Sequence, residues 1–255
     1  MRFFDVNAMI GAQFAPREGC FATVADCLEE MDHFGIDEAI VFHGLASEYD
    51  TRYGNHLLLD LLRGHERLHP CWVLAYPQFG LPTFAEDLEE GLQHGVRMVR
   101  LFWGDPLSNL SVLDLDLLGG LFTLLASRHV PVLLTNAGMT EITGNQLVQI
   151  KSVCKAFPEL PLILASPKLH QDFALIYYML EQYGNFHLDT SSIHPTGALE
   201  EITRRFGVQH LIFGTNYPWC GGGQSRIALA YADLTDTEKD AIASGNLRRL
   251  LEKVQ

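Results

Sequence analysis

Apolar residues come in eight short runs along this chain, rich in β-branched and aromatic side chains, near 2–7, 36–43, 69–76, 96–103, 131–136, 161–166, 185–190 and 210–216. Segments of helical length separate them. This alternation predicts parallel strands joined by crossover helices, and eight repeats of roughly 30 residues close most naturally into a (β/α)8 barrel, with a doubly wound open sheet as the alternative. The helical segments 23–34, 81–94 and 196–206 stop at Gly35, Gly95 and Gly207, each placed where a left-handed C-terminal cap is wanted before the next strand. Thr235 and Glu238 have capping-box spacing, which opens a last helix running through 245–251.

Composition narrows the class. The 255 residues suit one domain spanning 1–255, and 47% hydrophobic against 19% charged residues allows a sizeable core and disfavours disorder. A net charge of −13 repels phosphate backbones and anionic lipid surfaces, so nucleic acid and membrane are poor partners. The five cysteines (Cys20, Cys27, Cys71, Cys154 and Cys220) form no C-x-x-C pair and read as reduced thiols. No signal-like N-terminus and no run of about 18 apolar residues occurs, which leads us to expect a soluble cytoplasmic protein.

In such a barrel the active site lies at the C-terminal ends of the strands. That sorts the eleven histidines. His33, His56, His65, His69, His94, His129, His187 and His210 fall on helices or at strand starts and read as surface groups or helix-end charge partners. Only His43, His170 and His194 follow strands on the side of the mouth.

The opening run, Phe3-Phe4-Asp5-Val6-Asn7-Ala8-Met9-Ile10-Gly11, and the closing run, Leu211-Ile212-Phe213-Gly214-Thr215-Asn216-Tyr217-Pro218, resemble the first and last strands of the amidohydrolase-related proteins. In that family the first ends in a His-x-His metal pair and the last reads Phe-Gly-Ser/Thr-Asp-Tyr-Pro. Segments 95–102, 131–135, 157–166 and 185–191 are similar to its fourth to seventh strands, and 245–251 to its final helix, so the resemblance covers nearly the whole chain. It implies a hydrolase or decarboxylase whose metal polarises the scissile group and activates water. Here Asn7 and Met9 stand in place of the histidines, Thr135 and Ser166 in place of the histidines ending strands 5 and 6, and Asn216 in place of the aspartate. These neutral residues offer no imidazole or anionic oxygen, so no metal and no other cofactor is expected.

The remaining polar groups at the mouth define the expected site. Asn216, His170 and His194 are the candidates for catalysis; Asn7, Met9, Arg100, Trp103, Thr135, Ser166, Lys168 and Trp219 are the candidates for binding a small ligand. Arg100 and Lys168, turned inward, would trap a carboxylate or phosphate in an otherwise acidic protein; alternatively Arg100 pairs with Asp5 or Asp189 in the core. The run Gly221-Gly222-Gly223 reads as a flexible loop. Three function classes follow: a metal-independent or inactive divergent hydrolase binding a small polar or anionic metabolite, a non-catalytic binding or scaffold barrel, and a metal enzyme with relocated ligands such as His43, His170, His194 and Cys220. A homodimer fits the family's habit.

Overall fold

The computed structural model describes residues 1–11, 23–77, 82–103, 112–136, 142–167 and 173–255. The eight runs form β1 (Phe4–Ile10), β2 (Glu38–His43), β3 (Leu68–Val73), β4 (Met98–Trp103), β5 (Val132–Asn136), β6 (Leu162–Leu164), β7 (Phe186–Asp189) and β8 (Leu211–Ile212). All are parallel and neighbour one another in sequence order. Between β8 and β1 the ring is drawn together by bonds from the Val6 amide to the Phe213 carbonyl (3.0 Å) and from the Met9 amide to the Tyr217 carbonyl (2.9 Å). The chain is a single-domain (β/α)8 barrel. Among the described residues no helix is long and apolar enough to cross a membrane.

Alternation along each strand builds two concentric cores. Phe4, Met9, Ile40, Phe42, Cys71, Val73, Met98, Phe102, Leu133, Ile163 and Ile212 fill the barrel. Val41, Trp72, Leu101, Trp103, Leu134, Leu164, Leu188 and Phe213 face the helices instead. Each fully buried large side chain contributes about 1.5–3 kcal/mol of transfer free energy, so the double shell dominates stability. Trp72 shows how a helix is seated: its indole N–H donates to Asp87 at 2.9 Å on helix Phe84–Gln93, while Gly91 of that helix lies so close that a Cβ would sit 3.2 Å from the ring.

The chain end closes the bottom of the barrel. Thr235 and Glu238 make the expected capping box, but the helix they open, Asp236–Asp240, widens into a π segment at Ala241–Gly245 before Asn246–Leu251. Leu247 and Leu250 then plug the inner core, and the Asn246 amide donates to the carbonyls of Val208 and Leu211, both at 2.8 Å.

Three local expectations are corrected. Gly35 is a left-handed cap (φ 64°, ψ 43°), whereas Gly207 takes φ 101° and ψ 148°, since it feeds directly into the 3₁₀ turn Val208–His210 that leads to β8. The triple-glycine run starts helix Gly222–Tyr231 rather than a loop, and a Cβ on Gly223 would meet Phe34 at 2.6 Å. His187 and His210 are buried, not surface groups. Their Nδ1 atoms lie 2.9 Å from the Gln209 carbonyl and 2.7 Å from the Phe186 carbonyl, a reciprocal tie between β7 and the turn before β8, and burial pushes His187 down to about 4.

At the end of β1, Gly11 has φ 88° and the His43 imidazole fills the space where its Cβ would be. Gly64 has a similar φ of 82° with open space around it. Left-handed backbone alone costs an L-residue about 1–2 kcal/mol, so Gly64→Ala should cost about that much. Gly11→Ala, which must also displace a buried ring, should cost at least about 1 kcal/mol more. Chemical denaturation of the two variants side by side checks this; equal losses would mean His43 moves aside freely.

Candidate functional site

Two carboxylates that sit in otherwise apolar strands organise a buried polar network. Asp5 of β1 accepts from the Asn7 amide (2.9 Å), the Thr215 amide (3.0 Å) and the Thr215 hydroxyl (2.5 Å). The Asn7 amide is free to do this because the β1–β2 register slips between Asp5 and Ala8. Asp189, ending β7, accepts from the Ser191 amide (2.9 Å) and hydroxyl (2.5 Å). Gly214 passes so close that a Cβ there would lie 3.0 Å from the Asp189 carboxyl carbon.

Asn7 joins these acids to the only fully buried arginine or lysine among the described residues. Its Nδ2 donates to Asp189 Oδ2 at 2.6 Å and lies 3.4 Å from Ser166 Oγ, while its Oδ1 accepts from Arg100 Nη1 at 2.9 Å. The two partners fix the orientation of the carboxamide, because the arginine can only donate and the carboxylate can only accept. Ser166 Oγ lies 3.1 Å from Ser191 Oγ, which closes the ring of contacts. The guanidinium stacks over Phe42 (4.1 Å) and Phe102 (4.9 Å).

Burial dominates the electrostatics. It raises Asp5 to about 6 against the lowering effect of the Thr215 and Asn7 hydrogen bonds, and it raises Asp189 against those of Ser191 and Asn7. It also lowers Arg100 to about 10, which leaves the guanidinium charged at neutral pH. No ion pair links Arg100 directly to a carboxylate among the described residues; Asn7 stands between them.

Of the residues expected at the site, Asn7, Arg100 and Ser166 are thus brought together. Met9 packs in the inner apolar core, with Trp219 partly buried against it. Thr135 is the penultimate residue of β5, and its hydroxyl is buried with no hydrogen-bond partner among the described residues. Asn216 is half-buried in left-handed backbone (φ 56°), its carbonyl accepting from the amides of Trp219 and Cys220 at 3.0 and 3.1 Å. Ser166 is likewise left-handed (φ 49°), and paired strain of this kind at strand ends is characteristic of functional sites. Trp103 lies apart, in the layer between sheet and helices, because alternation along β4 turns Arg100 and Phe102 inward and Trp103 outward. His194 is exposed, its Nδ1 2.7 Å from Gln224, and His43 is buried as the N-cap of helix Gly44–Glu48, accepting from the Leu45 amide at 3.1 Å. Lys168 and His170 lie outside the described residues. Asp5, Thr215 and Phe42 were not expected as site residues; the legible signal was a carboxylate inside an apolar strand, which is rarely buried without partners.

A (β/α)8 barrel with a buried polar network joining β1, β4 and β7 falls in a class of protein whose sites are assembled from several strands. The amidohydrolase family profile matches residues 12–253, and the chain belongs to that family. No curated protein matches it in sequence. Among solved structures, it is similar to 2,6-dihydroxybenzoate decarboxylase from Rhizobium (16% identity, TM-score 0.77, covering 98% of each chain). It is also similar to 5-carboxyvanillate decarboxylase from Sphingomonas paucimobilis (13%, 0.71, covering 100% of this chain and 99% of that one) and to 4-oxalomesaconate hydratase from Rhodopseudomonas palustris (14%, 0.71, 98% and 96%).

Asp5 gives the site a pH signature. With its pKa raised from 3.8 to about 6, the folded state holds a proton between about pH 4 and 6 that the unfolded chain has released. Stability therefore falls as pH rises through that window, by on the order of 3 kcal/mol. Asp5→Asn keeps an acceptor for both amides, so it should remove most of this slope and be at least as stable as the parent at pH 7. Denaturation midpoints of both proteins between pH 4 and 8 measure it; parallel curves would mean that Asp5 ionises as freely as in water.

Proposed function

We propose that this amidohydrolase-family barrel binds a small polar or anionic metabolite at its mouth without a resident metal ion, and that any hydrolysis or related reaction there is metal-independent. One observation carries the reading: both ends of the Asn7 carboxamide are engaged, with Nδ2 on Asp189 and Oδ1 on Arg100. Where the family resemblance expects the first metal-binding histidine, the chain has an amide with no end to spare. Met9 is packed among apolar side chains, and among the described residues no three His, Cys, Asp or Glu side chains converge. The donor set present does not fit a tight divalent site.

In this reading Thr135, Ser166 and Asn216 are the neutral polar groups offered to the ligand, with Arg100 as a positive floor beneath them. Lys168 and His170, expected at the same mouth from the sequence, lie outside the described residues. The decarboxylases and the hydratase of similar fold act on carboxylated substrates by their names, which favours a carboxylate as the ligand group. A binding barrel without catalysis is the second reading. It is favoured by the internal saturation of the network, in which both carboxylates and Asn7 find their partners within the chain.

Elemental analysis of the purified protein should return well under one Zn, Mn or Fe per chain; a stoichiometric ion would overturn the metal-free reading. A thermal-shift screen should find small carboxylates or phosphates that raise Tm, since a ligand selective for the folded state stabilises it by mass action. Arg100→Met should remove most of that shift, because a hydrogen bond to a charged group contributes about 1.5–3 kcal/mol. An undiminished shift in a folded Arg100→Met protein would place the anion elsewhere. Turnover of any screened carboxylate, measured by product release, separates the two readings.

A further inference from the structure

Asp5, Asp189 and Arg100 are the fully buried Asp, Glu, Lys and Arg side chains among the described residues, and Asn7 touches all three through its amide or side chain. We infer that the Arg100 guanidinium, relayed through the Asn7 carboxamide, is the resident positive charge of this barrel in the place where the family resemblance puts a metal ion, and that it keeps divalent cations out. The inference rests on the metal-free reading above and gives it a cause.

Three features carry it. First, Nη1 of Arg100 lies one hydrogen bond, 2.9 Å, from the residue that replaces the first expected ligand, so the cation occupies the neighbourhood of the missing ion. A divalent ion introduced a few ångströms from a buried guanidinium would meet strong repulsion, because charges interact far more strongly in a low-dielectric interior than in water. Second, the arginine sets the direction of the amide. By holding Oδ1, it turns the N–H side of Asn7 toward Asp189 and Ser166, so hydrogens rather than lone pairs face the acid. A metal needs the opposite presentation. Third, the guanidinium is caged: Phe42 and Phe102 lie against it at 4.1 and 4.9 Å, and its Nε has no hydrogen-bond partner among the described residues. The aromatic faces hold the charge in place. The polarised amide passes part of that charge on to Asp189 and thus balances an acid that would otherwise be buried alone. Arg100 acts here through Asn7, as a positioning residue.

Neutralising Arg100 should therefore convert a cation-excluding site into a cation-accepting one. Removal of the guanidinium leaves the buried Asp189 carboxylate, frees Asn7 Oδ1 and leaves the Ser166 hydroxyl 3.4 Å from the amide, an all-oxygen set of the kind that hard divalent ions accept. The test compares the parent protein, Arg100→Gln and Arg100→Lys by thermal unfolding with and without about 1 mM MnCl2. The parent and the charge-retaining Arg100→Lys should not respond. Arg100→Gln should gain roughly 3–5 °C in Tm, the size of shift that a tenfold ligand stabilisation gives a domain of this length. The gain should disappear when Asp189→Asn is added. A parent protein that responds to Mn²⁺ as Arg100→Gln does would overturn both this inference and the metal-free reading. An unresponsive Arg100→Gln, with a metal-free parent, would overturn this inference alone. If Arg100→Gln does not fold unaided, refolding yield with and without Mn²⁺ becomes the readout: recovery with the ion supports the proposal and no recovery overturns it.

Discussion

The 2.6 Å bond from Asn7 to Asp189 and the 2.9 Å bond from Arg100 to Asn7 make one neutral amide the hinge of the whole upper barrel. Strands β1, β4 and β7 are not neighbours in the sheet, yet this chain of contacts ties them together across the interior. Burying a carboxylate and a guanidinium each costs several kcal/mol unless they are partnered, and breaking such a network by removing one member is far more costly than never having built it. The amide avoids the geometric demands of a direct ion pair, since it presents an acceptor to one side and a donor to the other. The remaining acceptor capacity is met for Asp5 by the Asn7 and Thr215 amides and the Thr215 hydroxyl, and for Asp189 by the Ser191 amide and hydroxyl.

The two layers of the fold serve this arrangement in different ways. The outer shell, with Trp72, Trp103 and Phe122 fully buried, fixes the strands against their helices. The inner shell includes Leu247 and Leu250 of the last helix, and the Asp5, Asn7, Arg100 and Asp189 network is buried beside it. Phe42 and Phe102 lie at the boundary and interact with the guanidinium through their faces, so the change from dry core to polar network is made within a single layer of side chains.

An amidohydrolase-family frame thus carries a buried network of Asp5, Asn7, Arg100 and Asp189. Membership in the family and similarity in fold to decarboxylases and a hydratase establish the architecture, and on one architecture the chemistry is decided by the residues at the strand ends. Among the described residues the buried network consists of two carboxylates, an amide, hydroxyls and an arginine. The left-handed backbone at Ser166 and Asn216 indicates that the strand ends are held under strain, and such strain persists only where the surrounding structure over-determines it.

The sequence by itself determined the barrel, because eight apolar runs at regular spacing, stopped by glycines and capping residues, leave few other ways to bury both faces of each strand. It also picked out Asn7, Arg100 and Ser166 as polar positions within or just after apolar runs, and the structure brings these three side chains into one hydrogen-bonded chain. Which way each side chain points was decided only by the tertiary structure. Trp103 was expected inside and lies outside, because the parity of β4 is set by pairing with its neighbours and not by hydrophobicity, which Phe102 and Trp103 share. His187 and His210 were expected at the surface and are buried, because their partners are carbonyls on the adjacent strand or turn, contacts that composition does not encode. The choice between an open cation and a core ion pair for Arg100 was left unsettled by the sequence. Its resolution through Asn7 depends on three strands, 93 and 182 residues apart along the chain from Asn7 to its two partners, meeting at hydrogen-bond distance, which only the closed barrel brings about.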